Sequence, residues 1–329
     1  MGELVDGFGR TITYMRVSVT DKCNLRCVYC MPEEGIKPRT HDEMLSVEEF
    51  ARVVRIASML GISRVRITGG EPLARKGVVA LVRAVAAVPG IRDVSMTTNA
   101  TMLEPMADEL ASAGLARVNI SLDSLRVDTY AGLTRRGDLA SALAGILAAE
   151  RAGLRPIKLN AVVLRGINSD EIESLAALTQ KHRWDVRFIE FMPFWGNGGL
   201  YGQEYVVPIN EIRRRVLALG AVRTAGQGDA GPASYLRLRG ALGQVGFISR
   251  DGDEFCGSCN RIRLTADGMF RPCLLSETTI DVRTALRSGA DDDTIADLIR
   301  RAVAAKPESG RTRGADGGWK ARPLSQIGG

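Results

Sequence analysis

The chain has only two histidines, His41 and His182, among its 329 residues. This scarcity excludes a multi-histidine zinc or non-haem iron centre and leaves few candidates for histidine acid–base catalysis. No apolar run reaches the roughly 18 residues of a membrane span, and the first residues lack the apolar stretch of a secretory signal. Short repeats are also missing, which excludes a fibrous protein. We therefore expect a cytoplasmic, enzyme-sized protein that has no membrane partner.

The charge balance is basic, with a formal net charge of +6. The lysines and arginines are dispersed along the chain rather than gathered in blocks. Two interpretations stay open at this point, an anionic partner and an arginine-rich surface in contact with water. The 45% hydrophobic content excludes a disordered chain, and a chain of this length can bury a substantial core.

The six cysteines fall into two sets of three, with none in residues 31–255 between them. The sets are Cys23, Cys27 and Cys30, and Cys256, Cys259 and Cys273. Disulfides are disfavoured in a reducing compartment and would leave an odd cysteine in each set. Structural zinc takes four ligands, whereas an iron–sulfur cluster accepts three thiolates and keeps one iron open. We favour clusters at both sets, less strongly at the second, which resembles half of a zinc ribbon.

The first two thirds of the chain predict repeated strand-then-helix units. The predicted strands are Arg16–Thr20, Arg64–Thr68, Asp93–Thr98, Arg117–Leu122, Ile157–Leu164 and Val186–Phe191. The predicted helices are Val47–Leu60, Val78–Val88, Pro105–Ala113, Leu139–Ala152 and Glu171–Lys181. Such units imply parallel strands, in a partial barrel or a doubly wound sheet, with chemistry at the carboxyl ends of the strands. The first cysteine set follows the first strand and therefore lies at that end.

The pattern changes after about residue 221. Short alternating runs predict a small β layer that carries the second cysteine set, namely Tyr235–Leu238, Gln244–Ile248, Arg261–Leu264 and Met269–Pro272. Helical patterns follow at Asp281–Arg287 and Asp292–Ala304. The tail, residues 306–329, is rich in Gly and Arg, and its composition alone predicts disorder. We divide the chain into residues 1–220, 221–305 and 306–329.

Two motifs resemble those of the radical S-adenosylmethionine (SAM) enzymes. The first is Cys23-Asn-Leu-Arg-Cys27-Val-Tyr-Cys30, and the second is Thr68-Gly69-Gly70-Glu71-Pro72, which is similar to the GGEP motif of that family. The resemblance implies that three thiolates bind a [4Fe–4S] cluster whose open iron chelates SAM. One electron from that cluster would split SAM into methionine and a 5′-deoxyadenosyl radical.

The second cysteine set narrows the resemblance to the GTP 3′,8-cyclase family, which acts first in molybdenum cofactor biosynthesis. Its second-cluster motif is similar to Cys256-Gly-Ser-Cys259-Asn-Arg261-Ile-Arg263 followed by Cys273. The runs 15–23, 96–99 and 118–123 and the final Gly-Gly fit as well, so the resemblance covers essentially the whole chain. It implies an α/β fold, an incomplete (β/α)6 TIM-like barrel with a C-terminal α+β region that carries a second Fe–S cluster.

The implied reaction converts GTP to (8S)-3′,8-cyclo-7,8-dihydroguanosine 5′-triphosphate. The ribose 3′ hydrogen is removed and a bond then forms between C3′ and C8. The resemblance implies that SAM is contacted by Tyr29, Gly70, Ser121 and Met192. It implies that GTP is contacted by Arg16, Arg66, Thr97, Lys158, Arg261 and Arg263, with Arg16, Arg261 and Arg263 in the catalytic role and the guanine base on the open iron of the second cluster.

Several of these residues also have ordinary structural interpretations. Tyr29 and Met192 suit core packing, and Thr97 and Ser121 suit turns at strand ends. The family often has lysine where Arg66 stands, and a point charge and a bidentate fork are not equivalent on a phosphate.

The partners implied by the resemblance are an electron donor of the flavodoxin or ferredoxin type and a cyclic pyranopterin monophosphate synthase that takes the product. We expect a monomer or a homodimer, and we expect Gly328 and Gly329 to enter the active-site cavity because glycines pass through narrow spaces. The alternatives are another two-cluster radical SAM enzyme, such as a peptide maturase, and a zinc-dependent nucleic-acid-binding protein. The second lacks fourth ligands and interleaved basic and aromatic residues, so we expect no nucleic acid partner.

Overall fold

The computed structural model describes residues 3–193, 202–220, 222–224, 233–249, 256–309 and 326. Our prediction for Gly328 and Gly329 lies outside these residues. Six parallel strands form the centre of the molecule, and each pairs with the next in chain order. They are β1 (Tyr14–Ser18), β2 (Arg64–Thr68), β3 (Asp93–Thr98), β4 (Arg117–Ser121), β5 (Ile157–Val163) and β6 (Trp184–Glu190).

Helices connect these strands and cover one face of the sheet. They are α1 (Val47–Met59), α2 (Val78–Ala86), α3 (Ala107–Ser112), α4 (Val127–Thr134), α5 (Leu139–Arg151), α6 (Ile172–Lys181) and α7 (Ile209–Leu217). A capping box starts α1, where the Ser46 hydroxyl accepts from Glu49 N (3.1 Å) and the Glu49 carboxylate accepts from Ser46 N (2.7 Å). The strand and helix bounds confirm the predicted βα units to within about two residues, and α4 and α7 were not predicted.

The apolar core lies between the sheet and its helices. Alternate strand residues face it, among them Met15, Val65 and Ile120, and all three are fully buried. Each such side chain contributes roughly 1.5–3 kcal/mol relative to an exposed one. The intervening residues of the same strands face the opposite side, and they include most of the polar residues of the strands, such as Arg16, Arg66 and Asn119.

The C-terminal strands lie where a small β layer was predicted, and they extend the central sheet. They are β7 (Val222–Thr224), β8 (Ser234–Leu238), β9 (Val245–Ile248), β10 (Arg261–Leu264), β11 (Met269–Arg271) and β12 (Ile280–Asp281). In the described residues, β10 pairs in parallel with β1 and β9 pairs in parallel with β6, which gives one twelve-stranded sheet. Both open edges of the incomplete barrel thus gain a partner for their unpaired N–H and C=O groups.

The chain ends its described part with two helices, α8 (Arg283–Arg287) and α9 (Asp292–Ala304). Helix α9 packs on α1, where Arg52 Nε lies 3.0 Å from Asp292 Oδ1. Among the described residues there is no helix of the length and apolar character that crossing a bilayer requires.

Candidate active site

The first cysteine set lies on the loop that follows β1, at the carboxyl edge of the parallel strands, and Cys23 comes five residues after Ser18. The loop is fixed from two sides. Within the loop, Arg26 Nη1 donates to the Cys23 carbonyl (2.6 Å). From the other side, Val28 N donates to the carbonyl of Leu133 (2.9 Å), a residue of helix α4. Asn99, which follows β3, donates from Nδ2 to Asn24 Oδ1 (2.9 Å). Both backbone and side-chain bonds therefore hold the loop before any ligand binds.

A cavity of about 250 Å³ opens beside this loop. Its walls include all three cysteines of the first set and all four residues predicted to contact SAM, Tyr29, Gly70, Ser121 and Met192. Thr97, predicted to contact GTP, lies there as well. Leu274, next to Cys273 in sequence, also lines the cavity.

The Gly69–Gly70 turn packs against the backbone that leads into the cysteine loop. Gly70 N donates to Thr20 O (2.8 Å), and a Cβ atom at Gly70 would lie 2.7 Å from Asp21 O. Only glycine permits this approach, so the turn has a structural role in addition to any ligand contact. Glu71 also lines the cavity, but its carboxylate accepts from Thr98 Oγ1 (2.7 Å) and from Asn99 N (2.8 Å).

Tyr29 is held in place by a buried carboxylate that our sequence analysis did not assign. Its hydroxyl donates to Asp123 Oδ2 (2.5 Å), and Asp123 Oδ1 accepts from Val162 N (2.8 Å). Burial raises the pKa of Asp123 to about 6, although both hydrogen bonds oppose that change. Asp123 comes two residues after Ser121, so the end of β4 supplies both a cavity wall and the support of Tyr29.

The thiols of the first set lie in a site of low polarity. Burial raises the pKa of Cys23 to about 11. Burial also raises the pKa of Cys27 well above its usual value, and the nearby Cys30 and Asp123 raise it further. The three thiols are thus near enough to influence one another's ionisation. This donor set fits a [4Fe–4S] cluster, in which each thiolate binds a different iron.

Neither set has the arrangement of a single-ion site. Within the part of the chain that the structure describes, no group of three or more His, Cys, Asp and Glu side chains could hold one metal ion. All six cysteines are described, and none forms a disulfide.

The second cysteine set lies at the other end of the barrel. Cys256 and Cys259 precede β10, and Cys273 follows the antiparallel strand β11, so all three lie near the amino ends of the parallel strands. Arg263 interacts electrostatically with both Cys259 and Cys273, which shows that the two segments meet. Burial acts against ionisation of Cys259, but the charges of Arg261 and Lys306 lower its pKa to about 7. This polar donor set also fits a cluster.

A row of arginines lies in register between the two sets. Arg16 on β1 pairs with Arg263 on β10 and with Arg66 on β2. Burial lowers the pKa of Arg16 well below its usual value, and the positive charges of Arg263 and Arg66 lower it further. Burial also lowers the pKa of Arg66 and the pKa of Arg263, each to about 10. Barrel interiors are normally filled by branched apolar side chains. A cationic interior instead suits a bound polyanion.

A polar network that we did not predict supports Arg66. The Arg66 Nε donates to Ser95 Oγ (3.2 Å). The side-chain amide of Asn119 is oriented so that its oxygen accepts from Arg66 and from Arg187 Nη2 (3.1 Å). Arg187 in turn donates from Nε to Asn160 Oδ1 (2.9 Å). The signal in the sequence is the polar alternation within each strand, such as Asn119 in Arg117–Ser121, because every second residue shares one face.

Lys158 and Arg261 lie nearer the amino ends of their strands. Lys158 is buried on β5 and lines a second cavity of about 580 Å³ with Arg183, Asp185 and Arg237. Arg261 starts β10, and Arg263 lies two residues later on the same face, as predicted. Among the residues predicted to contact GTP, the structure therefore brings Arg16, Arg66 and Arg263 together and places Thr97 and Lys158 in separate cavities.

Comparison with known proteins identifies the family. Residues 17–179 match the radical SAM superfamily, and residues 184–312 match the Molybdenum Cofactor Synthesis C family. The GTP 3′,8-cyclase of Pelotomaculum thermopropionicum is 48% identical over 98% of this chain and 99% of its own length. The GTP 3′,8-cyclase of Heliobacterium modesticaldum is 49% identical over 99% of this chain and 100% of its own length.

Among solved structures, SuiB of Streptococcus suis bound to S-adenosylmethionine aligns with a TM-score of 0.63 over 88% of this chain and 68% of its own. Its 15% identity shows a shared fold alone. The matches to the cyclases cover nearly the whole of this chain. The chain belongs to the GTP 3′,8-cyclase family of radical SAM enzymes.

Proposed function

We propose that the protein cyclises GTP to (8S)-3′,8-cyclo-7,8-dihydroguanosine 5′-triphosphate, the first step of molybdenum cofactor biosynthesis. One observation carries this proposal. Two cysteine triads lie at opposite ends of a barrel whose interior, between them, presents Arg16, Arg66 and Arg263 instead of an apolar core. A nucleoside triphosphate has the charge and the length to reach from such arginines to a cluster at one end.

The residues would divide the work as follows. Cys23, Cys27 and Cys30 would hold the first cluster, with Tyr29, Gly70, Ser121 and Met192 around SAM. When bound, this pair supplies a 5′-deoxyadenosyl radical after transfer of one electron. Cys256, Cys259 and Cys273 would hold the second cluster, and three thiolates would leave one iron for the guanine base.

The remaining groups would act by position and charge. Arg16, Arg261 and Arg263 would neutralise the triphosphate and orient the ribose so that its 3′ hydrogen faces the SAM side. Arg66, Thr97 and Lys158 would add further contacts along the barrel. The walls of the barrel would limit the access of stray hydrogen donors to a radical.

The wider setting follows from the chemistry of this site. Six cysteines that must stay reduced to take up clusters suit the reducing cytoplasm. We infer a one-electron donor of the flavodoxin or ferredoxin type, transfer of the product to a cyclic pyranopterin monophosphate synthase, and a monomeric or homodimeric protein.

An anaerobic preparation tests the proposed function. We expect a brown protein with about eight irons per chain, four for each cluster. With SAM, a reductant and GTP, it should form an isomer of GTP that carries the C3′–C8 bond, detected by chromatography and mass spectrometry. A chain that cleaves SAM but leaves GTP unchanged would contradict the proposal and favour the alternative of a peptide maturase.

The Asp123–Tyr29 contact gives a prediction about SAM binding. Replacing Asp123 by Asn removes the charged acceptor of the Tyr29 hydroxyl, and a hydrogen bond to a charged group contributes about 1.5–3 kcal/mol. We expect the affinity for SAM, measured by calorimetry on the cluster-loaded protein, to fall by roughly tenfold or more.

The iron content of this variant should equal that of the wild type. Tyr29→Phe is the matched control, because it keeps the ring but removes the hydroxyl. The double variant should bind SAM about as weakly as Asp123→Asn alone. Independent, additive losses would show that Asp123 does not act through Tyr29.

A further inference from the structure

Lys306 has an unexpected position for a residue at the start of a polar tail. It follows helix α9 and is only 5% exposed. Its ammonium group donates to Cys259 Sγ (3.4 Å), to Arg261 O (2.9 Å) and to Pro272 O (3.1 Å). All three protons of the ammonium are thus directed at partners. Burial of a lysine is costly unless its charge has such partners.

These partners lie on the two segments that carry the second cysteine set. Cys259 and Arg261 belong to the segment that leads into β10, and Pro272 immediately precedes Cys273 after β11. One side chain from the end of α9 therefore connects both ligand-bearing segments. The contact with Cys259 Sγ also brings a fixed positive charge to a sulfur that would bind iron.

A second cation secures the same region from the other side. Arg10 donates from Nη1 to Cys256 O (2.7 Å) and from Nη2 to Pro307 O (2.6 Å), and Asp6 Oδ2 accepts from its Nε (2.6 Å). Pro307 follows Lys306 directly, so Arg10 fixes the backbone from which the Lys306 side chain extends. The position of the ammonium is therefore well defined by the fold.

We propose that Lys306 is a positioning residue for the second cluster: it holds the two cysteine segments together and, through its hydrogen bond to Cys259, makes that cluster easier to reduce. This inference rests on the second cluster of the proposed function. Hydrogen bonds to the sulfurs and the net charge nearby set the reduction potential of an Fe–S cluster. A cation stabilises the reduced form, which carries one more negative charge.

The test measures the second cluster alone. The full-length chain with Cys23, Cys27 and Cys30 replaced by Ala is the parent, so only the second set can give a cluster signal. Iron content and a redox titration followed by electron paramagnetic resonance are compared for the parent, Lys306→Met and Lys306→Arg. Lys181→Met is the matched control, because Lys181 is an exposed lysine at the end of helix α6.

At the potential where half of the parent cluster is reduced, we expect only about one tenth to be reduced in Lys306→Met, a tenfold change in the reduction equilibrium. Lys306→Arg should lie near the parent, and Lys181→Met should equal it. If Lys306→Met takes up no cluster, a normal iron content in Lys306→Arg supports the proposal. An equal loss of iron in both variants overturns it. An unchanged midpoint in a fully loaded Lys306→Met, with or without a lower melting temperature, also overturns it.

Neither readout requires GTP or SAM. A chain that builds the second cluster but does not cyclise GTP would contradict the proposed function and still give a valid result for Lys306.

Discussion

Replacing Cys30 by Ala is expected to abolish formation of 5′-deoxyadenosine from SAM. Two thiolates cannot hold a cluster that relies on three, and Cys30 lines the same cavity as Cys27 and the residues proposed to contact SAM. The measurement is the yield of 5′-deoxyadenosine from the reduced protein with SAM, by liquid chromatography. We expect at least a thousandfold loss.

The second cysteine set provides the matched control. Cys259→Ala removes a thiolate at the other end of the barrel, so this variant should still cleave SAM but should form no cyclised GTP. About four irons per chain should remain in each of the two variants. A Cys30→Ala protein that still forms 5′-deoxyadenosine would contradict our assignment of the first cluster.

Arg16→Met is expected to separate activity from stability. Burial and the neighbouring charges of Arg263 and Arg66 disfavour the charged form of Arg16, as its lowered pKa shows. A basic group whose pKa is lower in the folded than in the unfolded protein destabilises the fold at every pH below its normal pKa. At pH 7 the replacement of Arg16 by Met should therefore not destabilise the substrate-free protein. The loss of a charged contact to phosphate, about 3 kcal/mol, should lower kcat/KM for GTP by roughly 100-fold.

Arg117→Met is the control for this prediction. Arg117 lies on β4, two strands beyond β2, and is bound to a carboxylate, with Nη2 2.5 Å and Nε 3.0 Å from the two oxygens of Asp93. Its replacement leaves Asp93 without this partner and should lower the melting temperature, whereas kcat/KM should change little. A lower melting temperature for Arg16→Met, with unchanged turnover of GTP, would contradict the proposed anion site.

The sequence predicted the central βα units well because their signals are local. Alternating apolar runs and glycines after the helices marked the strands and helices, and the observed β2, β3 and β10 have the predicted bounds. The prediction of a small β layer did not say how its strands meet the central sheet, because the pairing of β10 with β1 joins residues about 250 positions apart. Nothing in the local pattern of Arg261–Leu264 indicates which edge it completes.

The site was predicted only in part, for a related reason. Motif spacing pointed to the cysteines, and the resemblance named four residues that line the cavity beside the first cysteine set. Asn119 and Arg187 were missed because a polar residue within a strand gives no sign of its partners until the barrel is assembled. Lys306 was assigned to the tail by composition, but its three hydrogen bonds all join it to residues more than 30 positions away.

The central claim is that the radical formed at the first cysteine set acts on a GTP molecule held between the two sets. GTP that carries deuterium at C3′ tests it in one measurement, incubated with the reduced protein and SAM under anaerobic conditions. We predict that the 5′-deoxyadenosine gains one deuterium atom, as seen by mass spectrometry, in step with cyclised product. Unlabelled 5′-deoxyadenosine, with the deuterium retained in the nucleotide, would contradict the account.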